Sequence, residues 1–349
     1  MIFKPLQIND VILSNRITVA PMCQYSASMG NSTTWHYGHL FNLIKSGAGM
    51  VMTESIAVTL DGRITHNCLA LETDENVTSL NSLFQFLKSE IPLGAQLSHS
   101  GRKGSSYVPW DRYNSPLEGN NWDTVSASAI SRDDDWPLPT ELSSSDMGEI
   151  VNRFSSSAEI LDSIGFEILE IHMAHGYLLH QFFSPISNKR IDSYGGSLEN
   201  RCKFLLSVSE MVRSVWPKEK VLGARVTGTD WLEGGSTIED CVYLTQELKT
   251  IGFDYVCVSS GGILPVTNLP NTEPKYQVQL SRELKKSVDI LTKTAGRITT
   301  LKQVSDILDS GSADMVAIGR KFIQNPTWLY DNENLIPIQY KKCFGGKLQ

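Results

Sequence analysis

Eight short runs of apolar and β-branched residues recur along the chain, and each leads into a longer stretch whose apolar residues return at helical spacing. The runs are RITVAPM (16–22), AGMVMTES (48–55), PLGAQLSH (92–99), FEILEIHMAH (166–175), VLGARVTG (221–228), FDYVCVSSG (253–261), VDILTKTAG (288–296) and ADMVAIGRK (313–321). A strand that reads as near-continuously apolar is buried on both faces, which is the condition of parallel strands joined by helices. An open doubly wound sheet carries about five or six such strands, whereas eight units predict a closed α/β fold, the (β/α)8 TIM barrel. Between the third and fourth runs, Ile150, Phe154, Ala158 and Leu161 mark one apolar helix face; Asp146 and Glu149 are expected to form its capping box, and Gly165 its stop. FKPLQI and VILSN around Asn9-Asp10 predict an N-terminal β-hairpin that plugs the bottom of the barrel. Residues 1–349 read as a single domain with a C-terminal tail from 329 to 349. The one long connection, residues 100–142 after the third run, holds Trp110, Trp122 and Trp136 with little periodicity, and reads as a functional lid or a floppy insertion.

Composition excludes several classes of function. No stretch approaches the roughly 18 uninterrupted apolar residues of a membrane span, and MIFKPLQIND lacks the features of a secretory signal, so a soluble cytoplasmic protein with no membrane partner is expected. The six cysteines lie far apart without a CxxC pair, which predicts reduced thiols and no zinc knuckle. With a net charge of −7 and no basic run, nucleic acid is not an expected partner.

In a TIM barrel the chemistry collects at the C-terminal ends of the strands. Reading those ends gives Pro21, Met22, Cys23 and Tyr25; Glu54 and Ser55; Gln96 and His99; His172, His175 and Tyr177; Arg225; Ser259 to Gly261; Gly296 and Arg297; Gly319 and Arg320. After the seventh and eighth strands, TAGRI and AIGRK each present a glycine then an arginine, the position at which this fold binds phosphate. The pair His172 and His175 admits three readings. A metal site needs further ligands, of which only His99 and Glu54 are on offer, so no metal is expected. A structural role closes a loop. The third reading sets two neutral imidazole N–H donors on a substrate oxygen that becomes negative, with Tyr177 as a nearby proton donor. Arg225 supplies a fixed positive charge, or else pairs with Glu54 or Asp230. Lys293, inside the seventh run, offers an alternative: a phosphate-binding lyase that works through a Schiff base, against the plainer reading of a lysine with its charged end outside the barrel.

Taken together, APMCQYS (20–26), QLSHSGRK (96–103), EIHMAHGYLLHQFFSPISNKRIDSYGGSLENR (170–201) and AIGR (317–320) resemble the Old Yellow Enzyme family of FMN-dependent ene-reductases, in particular its cysteine-bearing, thermophilic-like subgroup. The resemblance runs from about Phe3 to Trp328. It implies an enzyme in which NADPH or NADH reduces FMN and the hydride then passes, in a ping-pong sequence, to the activated C=C bond of an α,β-unsaturated carbonyl compound, the acceptor being an enone, quinone or nitro compound. It also implies roles: Pro21, Met22, Cys23, Ser55, Gln96 and Arg225 around the flavin ring; Gly296, Arg297, Gly319 and Arg320 at the FMN phosphate; His172 and His175 on the substrate oxygen; Tyr177 as proton donor; and Cys23 and Tyr25 against the substrate. A flavin-dependent ligand sensor without turnover is the non-enzymatic alternative. The sequence departs from the pattern at Ser55, where alanine is frequent, in the tryptophan-bearing lid, and at Lys342. That lysine stands where the subgroup carries an arginine reaching into a neighbouring subunit, so a shared site in a homo-oligomer is an open expectation. The late cysteine cluster of larger relatives with an iron–sulfur domain is missing.

Overall fold

The computed structural model describes residues 1–88, 91–265 and 273–344. In chain order its strands are β1 (Leu6–Ile8), β2 (Val11–Leu13), β3 (Ile17–Val19), β4 (Met50–Ala57), β5 (Leu93–Ser98), β6 (Val125–Ser126), β7 (Thr140–Glu141), β8 (Ile168–Met173), β9 (Val221–Thr227), β10 (Tyr255–Ser259), β11 (Leu291–Thr294) and β12 (Met315–Ile318). Eight of them close in the order β10-β11-β12-β3-β4-β5-β8-β9, all neighbours parallel. Each coincides with one of the eight apolar runs; β4 extends two residues past its run, and the other runs overshoot their strands because they continue into the loops at the mouth. The principal helices are α1 (Thr34–Ile44), α2 (Asp74–Leu87), α3 (Ser144–Ile164), α4 (Leu178–Phe183), α5 (Leu198–Val215), α6 (Ile238–Ile251), α7 (Val278–Ser287), α8 (Leu301–Asp309) and α9 (Arg320–Gln324).

The expected hairpin is β1 with β2, paired antiparallel from Leu6↔Leu13 to Ile8↔Val11. Its Ile8, Val11 and Leu13 cluster with Met50, Ile168, Val221, Tyr255 and Met315. Those five are the first residues of β4, β8, β9, β10 and β12, so the hairpin seals the N-terminal end of the barrel and leaves the other end for chemistry. Along α3 the predicted Ile150, Phe154, Ala158 and Leu161 are all buried. Its capping box differs from the expected one. Ser143 is the N-cap, its hydroxyl accepting from Asp146 N–H while the Asp146 carboxylate accepts from Ser143 N–H; Glu149 is too far into the helix to reach an end group.

Residues 100–142 carry structure of their own. A 3-10 turn (Gly101–Lys103) and the two-residue pairing of β6 with β7 frame the segment. Trp136 is buried beneath the Arg132 guanidinium at 4.6 Å. Trp122 donates from Nε1 to the Asp61 carbonyl (2.7 Å), and Trp110 meets the edge of Tyr25 at 6.0 Å. These contacts tie the segment to the barrel. In the tail, Tyr340 OH accepts from Lys45 Nζ (3.2 Å) and Phe344 packs on Tyr330 (5.4 Å), so the turn holding Lys342 lies against the end of α1; residues 345–349 fall outside the described ones. Among the described residues no helix is long and apolar enough to cross a membrane.

Candidate active site

A cavity of about 590 Å³ opens at the C-terminal end of the barrel, well inside the range of small-molecule sites. Its wall includes Pro21, Met22, His175, Arg225, Gly296, Arg297, Gly319 and Arg320, eight of the residues singled out from sequence. Ser259, Ser260 and Gln277 complete the side nearest His175. Cys23, Tyr25, Ser55, Gln96, His172 and Tyr177 do not line it.

The loop after β8 is held in a conformation that its sequence would not choose unaided. His175 sits in the left-handed region (φ 58°), which costs a residue with a Cβ about 1–2 kcal/mol. Gly176 follows, also left-handed, and a Cβ there would stand 2.1 Å from the Gly262 carbonyl oxygen, so only glycine lets the loop pass. Three bonds hold the turn: His175 N–H donates to Thr227 Oγ1 (3.3 Å), Gly176 N–H donates to His180 Nδ1 (2.8 Å), and Lys103 Nζ donates to the His175 carbonyl (2.6 Å). His180 Nε2 in turn lies 3.1 Å from Asp230 Oδ1, both fully buried. Asp230 also accepts from the hydroxyls of Ser184 and Ser236, and His180 with these hydroxyls holds its carboxyl far below the usual range against the opposing effect of burial.

The tautomers of the histidine pair follow from their neighbours. His172 Nδ1 accepts from Ala174 N–H (3.1 Å), which leaves the proton on Nε2, and that N–H donates to His175 Nδ1 (3.1 Å). The His175 proton is therefore on Nε2, aimed at Ser259 Oγ (2.5 Å). Burial, then the Arg225 charge, depresses both imidazoles well below 6.5, so the chain is neutral. The rings thus form a relay from His172 through His175, in place of the expected two donors aimed side by side. Tyr177 stacks edge-on against His172 (4.7 Å), and burial raises its phenol well above 10.

Beneath the cavity lies a charged layer wholly inside the barrel. Lys293 Nζ and Glu170 Oε2 are 2.7 Å apart and fully buried; Tyr255 OH (2.9 Å) and Gln96 Nε2 (2.7 Å) donate to the same carboxylate. Gly223 makes room for this, since a Cβ there would stand 2.2 Å from the Tyr255 ring. Burial pushes Glu170 up, but Lys293 and then Arg225 bring it below the usual carboxylate value. Both sequence readings of Lys293 are therefore corrected: it neither projects outside the barrel nor reaches the cavity as a Schiff-base nucleophile, because its ammonium neutralises Glu170. Ser55 hydrogen-bonds Ser98 (2.5 Å) in the adjacent buried layer. The Cys23 thiol is pushed up by burial, then by Cys68 and Glu54, and stays protonated at neutral pH. Arg225 pairs with neither Glu54, which lies 3.0 Å from His36 Nε2, nor Asp230; its buried Nε has no hydrogen-bond partner.

The family model for the NADH:flavin oxidoreductase / NADH oxidase family matches residues 1–337. The chain belongs to that family. It is 38% identical to a NADH:flavin oxidoreductase, FG08077, of Gibberella zeae, over 97% of this chain and 87% of that protein. It is 36% identical to a NADPH dehydrogenase of Clostridium acetobutylicum, over 98% of this chain and 99% of that one. Among solved structures, morphinone reductase superposes with a TM-score of 0.79 at 22% identity, covering 100% of this chain and 90% of its own, a likeness of fold. This flavin oxidoreductase, as the sequence motifs led us to expect, is an Old Yellow Enzyme homologue, and its cofactor is FMN.

The residues present fit that cofactor. The buried Arg225 Nε on the cavity wall is a cationic donor without an acceptor among the described residues, and an electron-rich flavin ring would supply one. Glycine-arginine pairs on the adjacent strands β11 and β12 line the same cavity. Sequence reasoning did not assign roles to Lys103, Arg132, Glu170, His180, Ser259 or Gln277. Glu170 had a signal: it is two residues before His172 on one strand, and so faces the same interior side. The others act across long separations that no local pattern records.

Proposed function

We propose that this flavin oxidoreductase is an ene-reductase that takes hydride from NADPH or NADH and reduces the C=C bond of an α,β-unsaturated carbonyl compound. The relay His172–His175 carries the reading, because it ends in an N–H at the wall of the same cavity as Arg225 and the glycine-arginine pairs. Bound FMN supplies the two-electron exchange between nicotinamide and alkene. Arg225 would supply a cationic donor to the ring from the cavity wall. Gly296, Arg297, Gly319 and Arg320 would hold the phosphate and Pro21 and Met22 the ring, with Gln96, oriented by Glu170, and Ser55 supporting that side from the buried layer. Cys23 would act on the ring as a neutral thiol from outside that lining.

Hydride arriving at the β-carbon moves electrons onto the carbonyl oxygen. That oxygen takes over the His175 Nε2–H from Ser259, and the His172 N–H behind it, donating to Nδ1, makes the ring a stronger donor. Tyr177, protonated throughout the neutral range, delivers a proton to the α-carbon. Tyr25 and the Trp110 edge against it close the substrate side, so that residues 100–142 act as a lid. Purified protein reconstituted with FMN is expected to be reduced by a nicotinamide and reoxidised, without oxygen, by cyclohexenone with formation of the saturated ketone. Reduction followed by no reoxidation by any enone would leave a flavin-binding sensor or a dehydrogenase of another acceptor.

A further inference from the structure

Arg102, Lys103 and Arg132 form a cationic cluster to which the proposed chemistry gives no task. Arg102 donates to the carbonyls of Ile130 (3.0 Å), Ser131 (3.2 Å) and Ile263 (3.0 Å), which fixes the chain immediately before Arg132. Lys103 donates to the carbonyls of His175 (2.6 Å) and Gly262 (3.3 Å) and lies 5.0 Å from the centre of the Tyr177 ring. Arg132 is only 8% exposed, rests on Trp136, and its buried Nε has no hydrogen-bond partner.

None of the three takes part in an ion pair among the described residues. Asp133 acts on Arg132 through space without coming within ion-pair distance. Burial, reinforced by the neighbouring cations, pulls Lys103 down to about 7, and burial with Arg132 pulls Arg102 to about 10. Like charges held together out of water are unfavourable unless an anion joins them. Arg102 and Lys103 are already committed to backbone carbonyls; Arg132 keeps a planar guanidinium with no acceptor among the described residues, a shape that matches a carboxylate through paired N–H donors. Arg102 anchors the two residues before Arg132, and its neighbour Lys103 lies over the Tyr177 ring, which sets Arg132 on the Tyr177 side of the site.

We propose that Arg132 is a specificity-determining residue that binds the carboxylate of an enone acid, while the conjugated carbonyl of the same molecule meets the histidine pair. The inference rests on the ene-reductase reading. The same anion chemistry has a second source, the phosphates of the nicotinamide, and the two half-reactions separate them.

The experiment uses FMN-loaded enzyme, a cyclohexenone bearing a carboxymethyl group, and the methyl ester of that compound. Binding is read as the shift of the flavin absorbance in the oxidised enzyme, and each half-reaction is followed by stopped flow. The acid is expected to bind and to reoxidise the enzyme with an apparent affinity about tenfold or more above the ester's, the worth of one charge-assisted contact. Arg132→Gln should collapse that ratio to near one through KM rather than kcat, Arg132→Lys should restore part of it, and neither should alter reduction by NADPH or NADH. Equal affinity of acid and ester in the native enzyme would overturn the proposal. So would an Arg132→Gln variant that keeps the acid preference but binds NADPH more weakly, since the anion would then belong to the reductant. If neither compound reoxidises the enzyme, the ene-reductase reading falls, while the absorbance titration still decides whether Arg132 selects the acid.

Discussion

Replacing Lys293 by methionine removes one half of a fully buried ion pair and leaves Glu170 inside the barrel. At 2.7 Å and an effective dielectric of about 20, the lost attraction is about 6 kcal/mol before any offset for desolvation. Losing one partner of a buried pair costs about 3–5 kcal/mol in practice. Glu170 keeps its bonds from Gln96 and Tyr255, so the lower end applies, about 3 kcal/mol. Urea unfolding of Lys293→Met, Glu170→Gln and the double variant at a mildly alkaline pH measures this. The double variant, with no orphaned charge, should regain at least half of the loss. The pH dependence has a definite sign. In the native protein the Glu170 pKa is lowered, so its contribution is present above the unfolded carboxyl value of about 4.3 and is lost as pH falls through the folded one. In Lys293→Met the carboxylate is uncompensated, so acidification that protonates it narrows the gap to the native protein. A Lys293→Met protein as stable as the native one, or losses that simply add in the double variant, would refute the reasoning. A borohydride-trapped carbonyl adduct on Lys293 would refute it independently.

Three further outcomes follow from the site. His172→Ala and His175→Ala should each slow reoxidation by an enone about a hundredfold with FMN retained, and His175→Ala more severely because its ring alone lines the cavity; stopped-flow traces unchanged in both would make the pair structural. Tyr177→Phe should slow reoxidation but not reduction by nicotinamide; equal slowing of both would remove its proton-donor role. With the Tyr177 phenol raised and both imidazoles depressed, native reoxidation should show no titration of these groups between about pH 6 and 9. Asp230→Asn should cost about 1–3 kcal/mol at neutral pH, the worth of hydrogen bonds to a buried carboxylate, and because the Asp230 pKa is lowered, thermal melts of native and variant should converge as pH falls below about 4.

The eight strands were legible because a parallel barrel buries both faces of every strand, which leaves an apolar run with nothing local to imitate it. The hairpin was legible from its Asn9-Asp10 turn, and Asn9 does adopt a left-handed φ of 50°. The α3 cap was misassigned because the sequence offers acids at both Asp146 and Glu149, and Ser143, three residues before Asp146, decides between them. Lys293 was misplaced for a related reason. A lysine in an apolar run reads as the outward exception, yet in register it stands beside Cys257 and Met315, both interior, and its partner Glu170 is 123 residues away. The relay geometry was equally hidden, because the orientation of His175 depends on Ser259 and on a loop conformation that Gly262 and Lys103 impose from other strands.

The availability of Arg225 is what the buried layer achieves. The sequence admitted a salt bridge from Arg225 to Glu54 or Asp230, and Glu170 lies on the neighbouring strand, within range to act on it. Each of these carboxylates is engaged elsewhere: Glu54 faces His36 and Gln24 N–H, Asp230 faces His180 and two serines, and Glu170 is matched by Lys293. Arg225 thereby keeps an uncompensated charge on the cavity wall, at the cost of a lysine buried in the barrel. The Lys293→Met variant consequently has a second expected effect: Glu170, freed of its lysine, competes for Arg225 through the low-dielectric interior, and FMN affinity falls even when the fold is maintained. A variant that loses stability but binds FMN as tightly as the native protein would show that Arg225 is insulated from Glu170 and that the layer serves the barrel alone.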